Sequence, residues 1–259
     1  MQFGISTASL FIRKNTEEAL GYLSEKGVEN AEVFLESYCE YSKDFGKLLK
    51  SVQGNTNVHS VHVLTTQFEP QLYSVNERAK ADSFKILQGV LDCANEINAK
   101  NYTFHGVARL KKTPFNIDFD RIGRLTQDII DVCANKGVSL AYENVHWAYY
   151  NYVGFFKELS KRTHGLKGTL DIKQARQSGI DAFDLINEMG KDIVTVHLSD
   201  VDKDGKMCLP GKGITDFKKL FNRLSDVGFD GTAIIEAYQS DYQREEELLE
   251  SLQYLKSIL

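Results

Sequence analysis

Eight short runs rich in β-branched and aromatic residues recur along the chain, near QFGIS, VENAEVFL, VHSVHVL, NYTFHG, VSLAYE, KGTLDI, IVTVHL and TAIIEA, roughly 25 to 45 residues apart. Between them the apolar residues switch to helical spacing. Ile122, Leu125, Ile129 and Cys133 form one stripe that Gly137 closes, and Phe84, Leu87, Leu91 and Ala94 form another. Leu248, Leu252, Leu255 and Leu259 predict a terminal amphipathic helix with Glu245, Glu246 and Glu247 on its solvated face. Strand and helix alternating eight times predict a (β/α)8 TIM barrel, an α/β fold, spanning residues 1–259 as one domain. The competing doubly wound sheet lacks its fingerprint, because no GxGxxG follows the first strand and Gly211-Lys212-Gly213 comes only after the seventh.

At 259 residues and 42% hydrophobic, the chain can bury a core of that size. No Gly/Ser-rich linker divides it, and Pro70, Pro114 and Pro210 stand singly in connecting segments. A formal net charge of −5 gives no electrostatic footprint for a phosphate backbone, so no nucleic-acid partner is expected. The start MQFGISTASL is too short and polar for a secretory core, and no apolar run approaches the ~18 residues that span a bilayer. Cys39, Cys93, Cys133 and Cys208 form no CxxC pair. The expectation is a reduced, cytoplasmic protein without a membrane partner, free to form a homo-oligomer.

Four of the strand-like runs end on an ionisable residue: Glu143, Asp171, His197 and Glu236. Side chains alternate along a strand, so Ala141, Thr169, Thr195 and Ile234 share the inward face with them, while Leu140, Leu170, Val196 and Ile235 face the helices. Active sites of such barrels are assembled at the carboxyl ends of the strands. Three carboxylates meeting there would repel one another, whereas a divalent ion holds them ionised and takes the imidazole as a fourth ligand. His62 and His105 end the third and fourth runs in the same way. A lone strand-end His or Glu is ordinarily a hydrogen-bonded structural residue; six from consecutive strands carry more weight.

Taken together, GVENAEVFLE, SVHVLTTQFEP, YTFHG, YENVH, LDIKQA, VHLSD, LPGKGITDF and IIEAY make the whole chain resemble the xylose isomerase-like barrels, the superfamily of sugar and sugar-phosphate isomerases and epimerases that also holds endonuclease IV-type apurinic repair enzymes. The resemblance implies one metal bound by Glu143, Asp171, His197 and Glu236. Manganese is the expected ion, with cobalt, magnesium and zinc as alternatives. In the three-zinc repair enzymes, two histidines matching His62 and His105 join the strand-five glutamate around a further metal. The third zinc of those enzymes has no counterpart, since Gln174 stands where a histidine is needed and DVDKDGKMCLPGKG contains none.

The chemistry expected of an O/O/O/N site with open positions is chelation of a sugar carbonyl and its neighbouring hydroxyl, with Glu143 and Glu236 as the acid/base pair. His62 and His105 are expected to bind substrate in preference to a second metal. Lys173, two residues past Asp171, is read as a partner for an alkoxide or a substrate phosphate, against the plain reading of an exposed loop lysine. Trp147, within HWAYYNYVGFF, is assigned to the pocket because aromatic rings suit the C–H faces of sugars, while Phe155 and Phe156 are assigned to packing. Glu32 and Glu36 share strand parity, and Glu32 reads equally well as a paired buried acid lower in the barrel. The expected partner is a small sugar or sugar phosphate. The alternatives are a phosphodiesterase using one or two metals and a barrel that binds a sugar without turning it over.

Overall fold

The β-branched runs pair side by side and in parallel because each has an apolar outer face for helices to cover and an inner face buried within the cylinder. In the computed structural model, which describes residues 1–64, 67–109 and 116–259, they are β1 (Gln2–Ser6), β2 (Asn30–Leu35), β3 (Asn57–Val63), β4 (Asn101–Phe104), β5 (Ser139–Glu143), β6 (Lys167–Asp171), β7 (Ile193–Leu198) and β8 (Thr232–Ile235). Each pairs with the next, and β1 closes the cylinder against β8 in the register Gln2 to Thr232 through Ile5 to Ile235. The closed eight-stranded barrel is the fold read from the alternation. Pro114 lies outside the described residues.

Helices α1 (Thr16–Glu25), α2 (Lys43–Val52), α3 (Glu77–Glu96), α4 (Phe119–Asn135), α5 (Phe155–Ser160), α6 (Ile172–Gln177), α7 (Ala182–Met189), α8 (Phe217–Asp226) and α9 (Glu246–Ser257) surround the strands. Short polar residues start several of them, as at Ser42, Asn76, Asp118, Asp181 and Asp216, each accepting a backbone N–H of the first turn. The parity expectation holds. Leu140, Leu170, Val196 and Ile235 join the apolar layer between strands and helices, whereas Ala141 and Ile234 are buried outside it, within the cylinder.

On β3 the pairing skips a residue: Ala31 sits opposite Val58 but Glu32 opposite Ser60, a bulge at His59. The extra residue keeps Val58 and Val61 in the outer layer while His59, Ser60 and His62 all reach the interior. Polar side chains consequently recur at successive levels inside the barrel, alongside Ala141 and Ile234. His59 bonds Thr195, Thr232 and Asn101 low in the cylinder.

At the end of the chain, Leu248, Leu252 and Leu255 are buried as expected, but Leu259 lies beyond α9 and is 69% exposed. Glu247 does more than face solvent, because its Oε1 accepts the amides of Gln243 and Arg244 and ties down the approach to α9.

Candidate metal centre

Asp171 is the last residue of β6 and the N-cap of α6. Its Oδ1 accepts the Gln174 amide at 2.8 Å, which leaves Oδ2 to face the barrel axis. Asn144, one residue past β5, grips the backbone of Asp171 twice, donating to its carbonyl at 2.8 Å and accepting its amide at 2.9 Å. The ends of β5 and β6 are thereby held together, and Glu143 with them. Across the mouth, the Glu236 amide donates to the Leu198 carbonyl at 3.0 Å, which seats Glu236 beside the end of β7.

Glu143, Asp171, His197 and Glu236 converge, with one potential ligand atom from each within 4.8 Å of the others. His197 Nδ1 stands at the centre, 3.0 Å from Glu143 Oε1, 2.6 Å from Glu236 Oε2 and 3.9 Å from Asp171 Oδ2. The opposite ring nitrogen, Nε2, donates to Glu32, 3.2 Å from Oε2. Glu32 is fully buried and also accepts the hydroxyls of Ser6, Ser60 and Thr103, so four donors fix its carboxylate. A carboxylate on one imidazole nitrogen sets the tautomer and turns the other nitrogen's lone pair outward, the usual support of a ligating histidine.

The donor set fits a divalent cation. Glu236 Oε2 is buried yet has no aligned hydrogen bond among the described residues, even with His197 Nδ1 so close. His197 Nδ1 hydrogen-bonds Glu143 Oε1 at 3.0 Å, and the crowding of the remaining carboxylate oxygens round that nitrogen, with Glu236 Oε2 left without a bond, is what ligands of a common ion look like. The charges tell the same story. Burial and the neighbouring Glu143 and Glu236 push Asp171 up to about 7, against the pull of Lys173. The carboxylates around His197, Glu236 first, raise its imidazole well above the usual range in spite of burial. The imidazolium supplies the positive charge that this cluster demands, and a cation would take the place of its Nδ1 proton.

His62 and His105 lie beside this centre. Their Nε2 atoms are 2.8 Å apart, and Glu143 Oε2 is 3.8 Å from the first and 3.5 Å from the second. With Glu143 they form a second group able to hold an ion. His105 Nδ1 bonds Glu69 Oε2 at 3.1 Å, and the same buried carboxylate accepts Tyr102 Oη at 2.6 Å and the amides of His105 and Gly106. Gly106 has φ +75°, and a Cβ there would strike the Tyr142 hydroxyl, so only glycine lets the chain turn behind His105. Burial opposes a charge on His62, but Glu32, Glu143 and Glu236 prevail and raise it to about 9.

Lys173 is not an exposed loop residue: it lies in α6, 3% exposed, with Nζ 4.0 Å from Asp171 Oδ2 and 4.3 Å from the centre of the Tyr238 ring. Trp147 lays its ring against His105, centroids 5.3 Å apart, at the edge of the same mouth. Phe155 and Phe156 are buried in the core, as expected. Gln174 is engaged by His146, whose Nδ1 is 2.6 Å from its Oε1. Glu36 stands away from the centre, half-buried and raised to about 7 by burial and by Glu40.

The amides of Gly211 and Gly213 donate to Asp200 Oδ2 at 3.1 and 3.0 Å. Glu69 lies in an irregular segment and Asp200 in a two-residue strand paired with Cys208, and neither was singled out from the sequence. Glu236 also borders a cavity of about 340 Å³ at the barrel mouth. A larger groove, about 580 Å³, runs outside between α6, α7 and α8 and contains none of the converging side chains.

A model of the xylose isomerase-like TIM barrels matches residues 20–258. The chain belongs to this family. The uncharacterized protein MJ1311 of Methanocaldococcus jannaschii is 21% identical over 253 residues, covering 91% of this chain and 83% of its own length. Among solved structures, a D-psicose 3-epimerase in the presence of D-fructose superposes with a TM-score of 0.78 at 15% identity, over 100% of this chain and 99% of its own. The IolI protein with a binding zinc atom gives 0.75 at 16% identity, over 100% and 96%. At such identities these likenesses show the fold. Among the described residues no helix is long and apolar enough to cross a membrane.

Proposed function

We propose that the protein is a metal-dependent sugar isomerase or epimerase, with Glu143, Asp171, His197 and Glu236 as ligands of one divalent ion, manganese before cobalt, magnesium or zinc. The observation that carries this reading is the convergence of those four side chains on His197 Nδ1 at the open end of the barrel. The sugar chemistry of the D-psicose 3-epimerase and the zinc of the IolI protein support it. A divalent cation held there supplies the positive charge that stabilises the enediolate left when a carbon beside a sugar carbonyl loses its proton.

The remaining work falls to the protein. Glu236 borders the cavity and takes the C–H proton from one side. Glu143, across His197, returns a proton to the opposite face of that carbon for epimerisation, or to its neighbour for isomerisation. Lys173 holds its ammonium beside Asp171, where it offsets negative charge developing on the reacting oxygens. His62 and His105 present ring nitrogens to hydroxyls, and Trp147 offers a face to the C–H side of the sugar.

The test is incorporation of solvent deuterium into a ketose by protein loaded with Mn2+. Wild type should exchange one C–H position, and Glu143→Gln or Glu236→Gln should slow exchange by ~100-fold or more. Sugar binding without any exchange would leave only a binding barrel. The His62–His105–Glu143 group favours a second reading, a phosphodiesterase with two ions. Nicking of abasic-site DNA together with two bound metals per chain would establish it.

A further inference from the structure

The chain just beyond β1 adopts an unfavourable backbone conformation. Ile12 has φ +70°, a region that β-branched residues avoid because Cβ meets the carbonyl oxygen, and it is 69% exposed. Nothing in the core requires that arrangement. A type II turn over Leu10–Arg13, closed by the Arg13 amide on the Leu10 carbonyl at 2.9 Å, sets that φ, and the Arg13 side chain anchors the turn. Arg13 donates to the carbonyls of Gln239, Tyr242 and Gln243 at 2.9 to 3.0 Å and lies 4.2 Å over the Tyr242 ring. Ser9 adds a second clamp, accepting the Ala237 amide and donating to the Ile235 carbonyl. The segment after β1 is thus stapled to the segment after β8, and Ile12 is presented at the barrel mouth.

There Ile12 forms one wall of the 340 Å³ cavity with Phe11, Phe34, Leu64 and Tyr238, and Glu236 borders the same space. Phe34 meets the His62 ring edge-on at 5.1 Å, so the apolar wall begins where the polar centre stops. No lysine or arginine is among the described residues lining the cavity. The two nearby cations lie outside that lining: Arg13 is held by three carbonyls, and Lys173 sits beneath Tyr238 beside Asp171, at the reacting end of the site. A phosphate at the outer end of this cavity would meet hydrocarbon, with no side-chain cation among the described residues that line it.

We infer that Ile12 is a specificity-determining residue, closing the outer end of the site with an apolar wall so that it takes sugars whose end remote from the reacting carbons is uncharged, and prefers a terminal methyl to a terminal phosphate. The inference rests on the sugar reading of this site, and strained backbone held in place by surrounding structure is the form such a device takes.

Calorimetric titration of the Mn2+-loaded full chain with D-fructose, 6-deoxy-D-fructose and D-fructose 6-phosphate tests it. Wild type should bind the deoxy sugar ~10-fold more tightly than D-fructose, the order of effect of one buried methyl, and the phosphate ~100-fold or more weakly. Ile12→Gly should abolish the methyl preference without lowering Tm, because glycine accepts φ +70°. Ile12→Lys should bring phosphate binding to within about tenfold of D-fructose. Phosphate binding as tight as D-fructose in wild type, an unchanged ranking in both variants, a lower Tm in Ile12→Gly, or no binding of any of the three would overturn the inference. The expected ranking without solvent-deuterium exchange would overturn the isomerase reading alone.

Discussion

Asp171→Asn separates stability from metal binding, and the structure gives the size of the effect. Asp171 is an acid whose folded pKa, about 7, exceeds the ordinary 3.8, so its ionisation opposes folding. The penalty is absent below about 3.8, grows as pH rises and is complete above about 7. At 1.36 kcal/mol for each tenfold change, it reaches about 4 kcal/mol. Asparagine keeps Oδ1 for the Gln174 amide but leaves the Lys173 ammonium without its nearest carboxylate, so about 4 kcal/mol is a ceiling. A gain of about 2 kcal/mol would raise Tm by about 4 to 8 °C. In EDTA at pH 8 the variant should therefore melt above wild type, and at pH 4 the two should coincide. With saturating Mn2+ the order should invert, since only wild type recovers binding energy from the ion. Paired thermal melts at both pH values, with and without Mn2+, decide the matter. A variant less stable than wild type in EDTA at pH 8 would refute the reasoning.

Metal uptake by EDTA-treated protein should release protons at pH 7, since Asp171 is then about half protonated and His197 carries a proton on the nitrogen facing the acids. Affinity should fall about tenfold or more per pH unit below 7, measurable by Mn2+ titration in buffers of different ionisation enthalpy. Glu69→Gln should leave metal content at wild-type level but raise KM about tenfold, because His105 loses the carboxylate that fixes its tautomer. Trp147→Ala should raise KM to a similar extent without altering kcat, as expected for a ring that packs on His105 and the sugar face.

The barrel was legible because its signals are local and repeated: each β-branched run is long enough for one strand, and each stripe for one helix. The four converging residues were legible because a strand end is a fixed place in such a cylinder, so order along the chain becomes order around the mouth. Glu32 could be read only as far as its parity, since whether an inward acid meets substrate or supports a ligand depends on depth, which the bulge at His59 adjusts. Glu69 acts from an irregular segment and Asp200 from a two-residue strand, each through amides elsewhere in the chain, and no periodicity announces them. Ile12 was hidden for a related reason. A positive φ at an isoleucine runs against local preference; it occurs at the third position of a type II turn, a place where glycine is the ordinary sequence signal, and Arg13 anchors that turn to the segment after β8. Lys173 sits two residues beyond a strand end, where exposure is the ordinary outcome, and α6 beginning at Ile172 is what turned it inward.

The most direct test is metal analysis of protein purified without chelator, with ions identified and counted per chain, followed by Mn2+ titration of EDTA-treated protein. Convergence of Glu143, Asp171, His197 and Glu236 on one divalent cation predicts one tightly held transition-metal ion per chain in wild type, lost in Asp171→Asn. No bound ion and no uptake of added Mn2+ by wild type would contradict it.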